Sequence, residues 1–266
     1  MARRMLGGSI YALSAAIGIL AFLYPFLLPS VSATPMGMGH SQDAPIITVV
    51  LVGLALVGLV IELQGQALGA KTVAMLGVLV AIASTLRFLD VVMPLPGGFS
   101  PIFAPIILTG YAFGARLGFL MGIFTLLASA LITGGVGPWL PYQMFTAGWV
   151  GMSAGWLGQL RLPERGRLRP FLLAAFGFVW GLLFGAIMNL FFWPFAVGPA
   201  QQTWHPGIGL AETLARYGVF YLATSLGWDL GRAVGNALLL LALSEPVLRA
   251  LLRFRRRFHF EVGAGV

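Results

Sequence analysis

The sequence predicts an all-α, polytopic membrane helix bundle with about eight transmembrane helices. Of its 266 residues, 59% are hydrophobic and only 9% charged, with a mean hydropathy of +0.92. A soluble domain needs more charge than this to cover its surface. Apolar runs also alternate with Pro/Gly loops and charges, at intervals that suit helices of roughly 20 residues crossing the hydrocarbon.

The first span is expected near residues 9–29. Met1-Ala2-Arg3-Arg4, the apolar run Ile10 to Leu28 and then Val31-Ser32-Ala33 could be taken for a signal peptide. That apolar core exceeds the roughly 7–15 residues usual for a signal, so an uncleaved span is expected. The second span, near 46–63, completes a hairpin, and residues 1–66 read as an accessory module. Its outer loop "SATPMGMGHSQDA" holds Met36, Met38 and His40, soft-metal ligand types that in a Gly/Ser-rich stretch read as a solvated linker.

The third span, near 70–92, carries a stripe of small residues: Ala70, Ala74, Gly77, Ala81 and Ser84. Their spacings of four and three put them on one face, where another helix can approach closely. Packing within the bundle and docking of a partner both account for such a stripe. Near the span's outer end stand Arg87 and Asp90, three residues apart. The fourth span, near 102–115, is short and starts with Pro101 and Pro105, which would also suit a re-entrant segment. Charge argues that it crosses, because crossing puts Arg3, Arg4, Lys71, Arg116, the Arg161 to Arg169 cluster and the basic tail on one side. That side is expected to be the cytoplasm, with both termini inside the cell membrane.

The fifth and sixth spans are expected near 117–133 and 141–160. Between them "GGVGPWLPYQMF" brings Trp139, Tyr142 and Gln143 to the outer mouth of the sixth. The seventh, near 170–195, holds Asn189 in its outer third. The eighth, near 220–244, carries Trp228 and, three apart toward its outer side, Asp229 and Arg232. The tail "RFRRRFH" follows a span directly, which indicates anchoring at lipid headgroups and not nucleic acid.

Several chemistries are excluded. There is no cysteine, His40, His205 and His259 are scattered, and no H-E-x-x-H or G-x-S-x-G motif occurs, so no enzyme, metal centre or cofactor is expected. "GQALGAKT" at Gly65 to Thr72 resembles a phosphate-binding loop but fails on spacing, so any ATP must be bound by another subunit. The polar groups within spans are functional by default. Arg87, Asp90, Trp139, Tyr142, Gln143, Asn189, Trp228, Asp229 and Arg232 share one level in the outer half and are read as a candidate substrate site. Structural ion pairs and an interfacial Trp belt are the alternative.

From about Lys71 onward the order of features resembles the substrate-binding S components of energy-coupling factor (ECF) transporters. A small-residue helix ends in "LRFLDVVMPLPGGFSPIFAP"; "GARLGFLMG" forms a hairpin turn; "GPWLPYQMF" and "GWDLGRAVGNALLLL" follow. "GPWLPYQMF" is similar to a subgroup associated with cobalamin-like substrates. The resemblance implies a six-helix core at residues 67–266 that captures a vitamin from outside and docks on a membrane T subunit driven by paired ATPases. It also implies a docking face at Ala74, Gly77, Ala81 and Ser84. The hairpin of residues 1–66 departs from the family pattern and could cover that face or replace a partner contact. A structural or assembly protein without a ligand, and an intramembrane enzyme acting on lipid, are the competing readings.

Overall fold

The computed structural model describes residues 2–27, 43–64, 70–93, 96–160 and 166–257. The outer hairpin loop with Met36, Met38 and His40, and Gly65 to Gly69 of the loop-like "GQALGAKT", lie outside the described residues. Among the described residues the regular structure is helical: α1 (Ala2–Leu27), α2 (Ala44–Gln64), α3 (Ala70–Val92), α4 (Phe103–Phe113), α5 (Ala115–Thr133), α6 (Leu140–Leu157), α7 (Leu168–Phe192), α8 (Leu210–Thr224) and α9 (Leu226–Arg257).

Glycine sets the spacing of the central helices. Lipid removes the hydrophobic drive between helices, so close backbone approach has to supply the attraction. A Cβ on Gly151 of α6 would fall 2.0 Å from the Gly118 carbonyl of α5, and one on Gly110 of α4 would fall 2.1 Å from the Gly151 carbonyl. Further along the same seam, a Cβ on Gly122 would lie 2.2 Å from the Ala147 carbonyl. Thus α4, α5 and α6 meet backbone to backbone. The pair α7 and α9 uses the same device, with Gly181 pressed on Ala233.

The fourth span departs from expectation in form. The helix α4 has 11 residues, about 16 Å, roughly half the hydrocarbon thickness. The chain nevertheless runs the depth of the bundle there. Gly97 packs on Gly231 at one end of α9, and the Ala112 carbonyl accepts a 2.7 Å hydrogen bond from Arg255 Nη1 at the other. Those two points on α9 are roughly 36 Å apart along a helix axis. The Pro96–Gly98 turn and the following residues cover the rest of that distance. Pro105 falls in the first turn of α4, where a missing N–H breaks no helical bond.

The eighth span also differs. Residues 220–244 are not one helix: α8 ends at Thr224, Ser225 leaves helical geometry at φ −128°, and α9 then runs 32 residues, about 48 Å. The amphipathic α8 starts at Leu210, ahead of the expected span. Four segments are long and apolar enough to cross a membrane by composition: Ser9–Leu27, Val73–Val92, Ala115–Thr133 and Leu168–Phe195. Ala44–Gly58 and Phe103–Phe113 are shorter apolar helices. The chain is a polytopic membrane protein.

The hairpin α1–α2 packs on the central helices. Gly18 faces the Phe145 ring at 2.6 Å from its would-be Cβ, and Phe22 meets Tyr142 edge-on at 5.0 Å. Asp43, at the head of α2, accepts from the Tyr24 hydroxyl of α1 and, at 3.5 Å, from the Tyr142 hydroxyl of α6. The face of α3 bearing Ala74, Gly77 and Ala81 stays exposed, with open space around Gly77. Ser84 leaves that face: it is fully buried and donates to the Thr125 carbonyl of α5 at 3.4 Å. The small-residue spacing put it on the same face as Ala74, Gly77 and Ala81, whereas α5 covers it.

The glycine seam is testable. Gly151→Val is expected to cost about 3 kcal/mol or more, because the added atoms meet backbone that cannot rotate away. Gly53→Ala, on α2 with no atom within 4 Å of its would-be Cβ, should leave thermal unfolding in detergent unchanged or slightly raised.

Candidate functional site

A cavity of about 340 Å³ opens between α6, α7 and α9. One face of α7 supplies its floor. Phe184, Gly185, Met188, Asn189 and Phe192 recur at helical spacing and all line the space. The start of α6 contributes Trp139 and Gln143, and the start of α9 with its preceding residue contributes Ser225, Trp228, Asp229 and Arg232. Four aromatic rings and one thioether therefore face a small set of polar groups. This is the make-up of a small-molecule pocket.

The polar side is built around a buried ion pair. Asp229 is only 2% exposed, and its Oδ1 accepts from Arg232 Nη1 at 2.6 Å. The same Nη1 reaches the Gly181 carbonyl at 3.3 Å, and the guanidinium lies over the Phe184 ring, 5.4 Å from its centroid. Gly185 makes the room: a Cβ there would fall 1.9 Å from Asp229 Oδ2. Beside it, Asn189 Nδ2 donates to Ser225 Oγ at 2.7 Å, which ties α7 to the break before α9.

The opposite end of the bundle offers a comparison. Arg169 of α7 and Glu245 of α9 form a two-pronged pair, Nε to Oε1 at 2.8 Å and Nη2 to Oε2 at 2.7 Å. Both Glu245 oxygens are used. In Asp229 the second oxygen is buried without a hydrogen-bond partner. The Arg169 pair uses both carboxylate oxygens, and the Arg232 pair uses one.

The rim is held by polar contacts. Trp193 Nε1 donates to the Gln202 carbonyl at 2.8 Å, and Arg216 of α8 donates to the carbonyls of Ala200 at 2.6 Å and Thr203 at 3.0 Å. The Tyr217 hydroxyl is hydrogen-bonded to the Ala186 carbonyl of α7. These contacts fix the segment between α7 and α8 beside the opening.

Six residues singled out from sequence line this cavity: Trp139, Gln143, Asn189, Trp228, Asp229 and Arg232. Three do not. Arg87 pairs with Asp90 at 3.1 Å and donates to Ser100 Oγ at 3.3 Å, anchoring the chain before α4 to α3. Tyr142 is fully buried and points away, toward Phe22, Phe191 and Asp43. Successive residues on a helix diverge by about 100°, and here Gln143 lines the cavity while Tyr142 turns into the core. The Pro96–Gly98 turn is packed against the start of α9: a Cβ on Gly231 would lie 2.1 Å from the Gly97 carbonyl, and Gly98 abuts Trp228. Residues 94–95 of that loop lie outside the described residues. Phe184, Gly185, Met188, Phe192 and Ser225 were missed in the sequence; the available signal was their spacing around Asn189.

Among the described residues no three His, Cys, Asp or Glu side chains gather as metal ligands. The arrangement offers hydrogen bonding, charge and ring contact.

The model of the family "ECF transporter, substrate-specific component" matches residues 71–244. No curated protein and no solved structure matches the chain.

Removing one member of the ion pair strands the other. Arg232→Leu is expected to lower stability by about 3–5 kcal/mol, because Asp229 would remain buried without its cation. The double variant Asp229→Leu/Arg232→Leu should recover most of that loss in thermal unfolding. Equal loss in both would remove the pair from the account of stability.

Proposed function

The chain belongs to the substrate-specific components of ECF transporters, and we propose that it captures a vitamin-sized small molecule in the cavity between α6, α7 and α9. It is a transporter subunit and not an enzyme, and its family implies a T subunit, ATPase subunits and a small-molecule substrate. The observation that carries the proposal is one cavity in which Asn189, Ser225, Asp229 and Arg232 meet the rings of Trp139, Phe184, Phe192 and Trp228.

Cavity size bears on the ligand. About 340 Å³ is at the small end of ligand pockets, which run from roughly 300 to 1,000 Å³. A corrinoid is several times larger. The volume thus supports a compact ligand over the cobalamin suggested by "GPWLPYQMF".

The remaining assignments follow from position. Arg116, Arg169 and Arg255 lie at the end of the bundle opposite the cavity, by the contacts of Arg255 with Ala112 and of Arg169 with Glu245. The positive-inside tendency supports a cytoplasmic location for that end and for both termini, with the cavity facing out. The exposed Ala74, Gly77 and Ala81 support docking of the T subunit on α3. The hairpin touches α3 through α2, yet Ala74, Gly77 and Ala81 stay exposed beside it.

Mass spectrometry of compounds that copurify with the native chain tests the proposal. One small molecule near a 1:1 ratio is expected, lost in Trp228→Ala and retained in Arg87→Ala. An empty wild-type preparation that still supports no uptake when its T and ATPase subunits are present would favour the assembly-protein reading. For docking, Gly77→Leu is expected to abolish copurification with the T subunit while ligand occupancy stays unchanged.

A further inference from the structure

The helix α8 is too short to cross a membrane, yet it presents an apolar face away from the protein. Its 15 residues make about 22 Å, short of the roughly 30 Å of hydrocarbon. Successive helical residues advance by about 100°, so Ala211, Leu214, Ala215, Gly218 and Leu222 fall within about 100° of one another around the axis. Leu214 and Leu222 are 62% and 63% exposed, and Ala211 and Ala215 are exposed beside them. None of these side chains carries a charge or a hydrogen-bonding group.

The other side of α8 packs on the protein. Phe220 is buried near Trp193, with 6.5 Å between ring centroids, and Tyr217 meets the same indole edge-on at 5.0 Å. Arg216 donates to Glu212 and to the carbonyls of Ala200 and Thr203. Trp193, Ala200 and Thr203 all follow the end of α7 on the cavity side of the bundle. Two further contacts fix the slant of α8. The Tyr217 hydroxyl is hydrogen-bonded to the Ala186 carbonyl, and Asn189 Nδ2 reaches Ser225, just past α8, at 2.7 Å. Ala186 and Asn189 are about 4.5 Å apart along α7, whereas Tyr217 and Ser225 are about 12 Å apart along α8. The helix therefore slants across α7 instead of running beside it, at the level of the last turns of the membrane-crossing segment Leu168–Phe195.

What meets the free face is set by what adjoins it. Past Ser225, apolar exposure continues along α9 through Leu230, Val234 and Leu238. Tyr217 and Tyr221 border the face on α8 itself, and Trp204 follows the Thr203 that Arg216 holds. These ring types settle where hydrocarbon gives way to headgroups. We infer that α8 is an interfacial helix whose Ala211-to-Leu222 face is seated among the lipid acyl chains of the leaflet on the cavity side, held by apolar contact and not by headgroup charge. This stands apart from the cavity being the substrate site. Ala211, Ala215 and Gly218 would also admit a helix of a second copy, and the test separates the two.

The chain has no cysteine, so single introduced cysteines can carry a spin label. Leu214→Cys and Leu222→Cys report the face; Gln201→Cys, at an exposed position before α8, is the aqueous reference. The full chain is reconstituted in phosphatidylcholine vesicles, and collision of the label with oxygen, which partitions into acyl chains, is compared with collision with a water-soluble nickel chelate. The oxygen-to-nickel ratio is expected to be several-fold higher in the Leu214→Cys and Leu222→Cys chains than in Gln201→Cys, and to stay the same when anionic phosphatidylglycerol is added. Thermal unfolding checks that each variant is folded, and where one face variant is not, the other decides. Nickel access at the face equal to that of the reference places it in water and overturns the inference. Shielding from both reagents, with spin–spin broadening that disappears on dilution with unlabelled chain, overturns it in favour of a second copy. A ratio that rises with phosphatidylglycerol overturns it in favour of headgroup recognition.

Discussion

Backbone contact across glycine is the constraint on which the rest of this structure depends. In lipid an apolar helix surface gains little by leaving its surroundings, so helices stay together where they approach closely enough for dispersion to accumulate. Gly118 and Gly151 bring α5 and α6 to that distance, Gly110 adds α4, and Gly181 joins α7 to α9. One position departs from the pattern in a useful way. At Gly185 the atom filling the space is the Asp229 carboxylate and not a neighbouring backbone. The same absence of a side chain that draws helices together elsewhere here admits a charge into the bundle.

A charge at that depth needs compensation, and the two ends of the α7–α9 pair compensate differently. Arg169 and Glu245 satisfy one another with two parallel hydrogen bonds. Asp229 and Arg232 lie three apart on one helix, a spacing that brings Nη1 to Oδ1 but leaves Oδ2 behind. A fork-to-fork pair across two helices is a clamp. The pair within one helix leaves one carboxylate oxygen unused, and both of its residues line the cavity walled by the rings of α6 and α7.

Much of this site was legible because polar residues are conspicuous in apolar runs. Asn189, Asp229, Arg232 and Gln143 stand out in the sequence, and Trp139 and Trp228 sit beside turns and charges. Phe184, Met188 and Phe192 were illegible for the converse reason: an apolar lining residue in an apolar helix has no contrast with a lipid-facing one. Arg87 and Asp90 had the same conspicuousness as the true lining residues, and sequence cannot show that Ser100 completes their local network. The bundle class was legible from composition alone. The break at Ser225 was not, since a run of apolar residues on both sides conceals where one helix stops and the next begins.

The hairpin of α1 and α2 bears on the site from behind. Consecutive residues of α6 face different ways: Gln143 lines the cavity, and Tyr142 turns into the hairpin, where Phe22 packs on its ring and Asp43 accepts from its hydroxyl. Farther along, Phe26 meets both Trp193 and Trp204, residues flanking the segment that borders the opening. The added helices thus brace the two elements that present Trp139, Gln143 and Phe192, while Ala74, Gly77 and Ala81 of α3 stay exposed. A module appended to this side can stiffen the ligand-binding wall without obstructing Ala74, Gly77 and Ala81, because the two surfaces belong to different helices of the bundle.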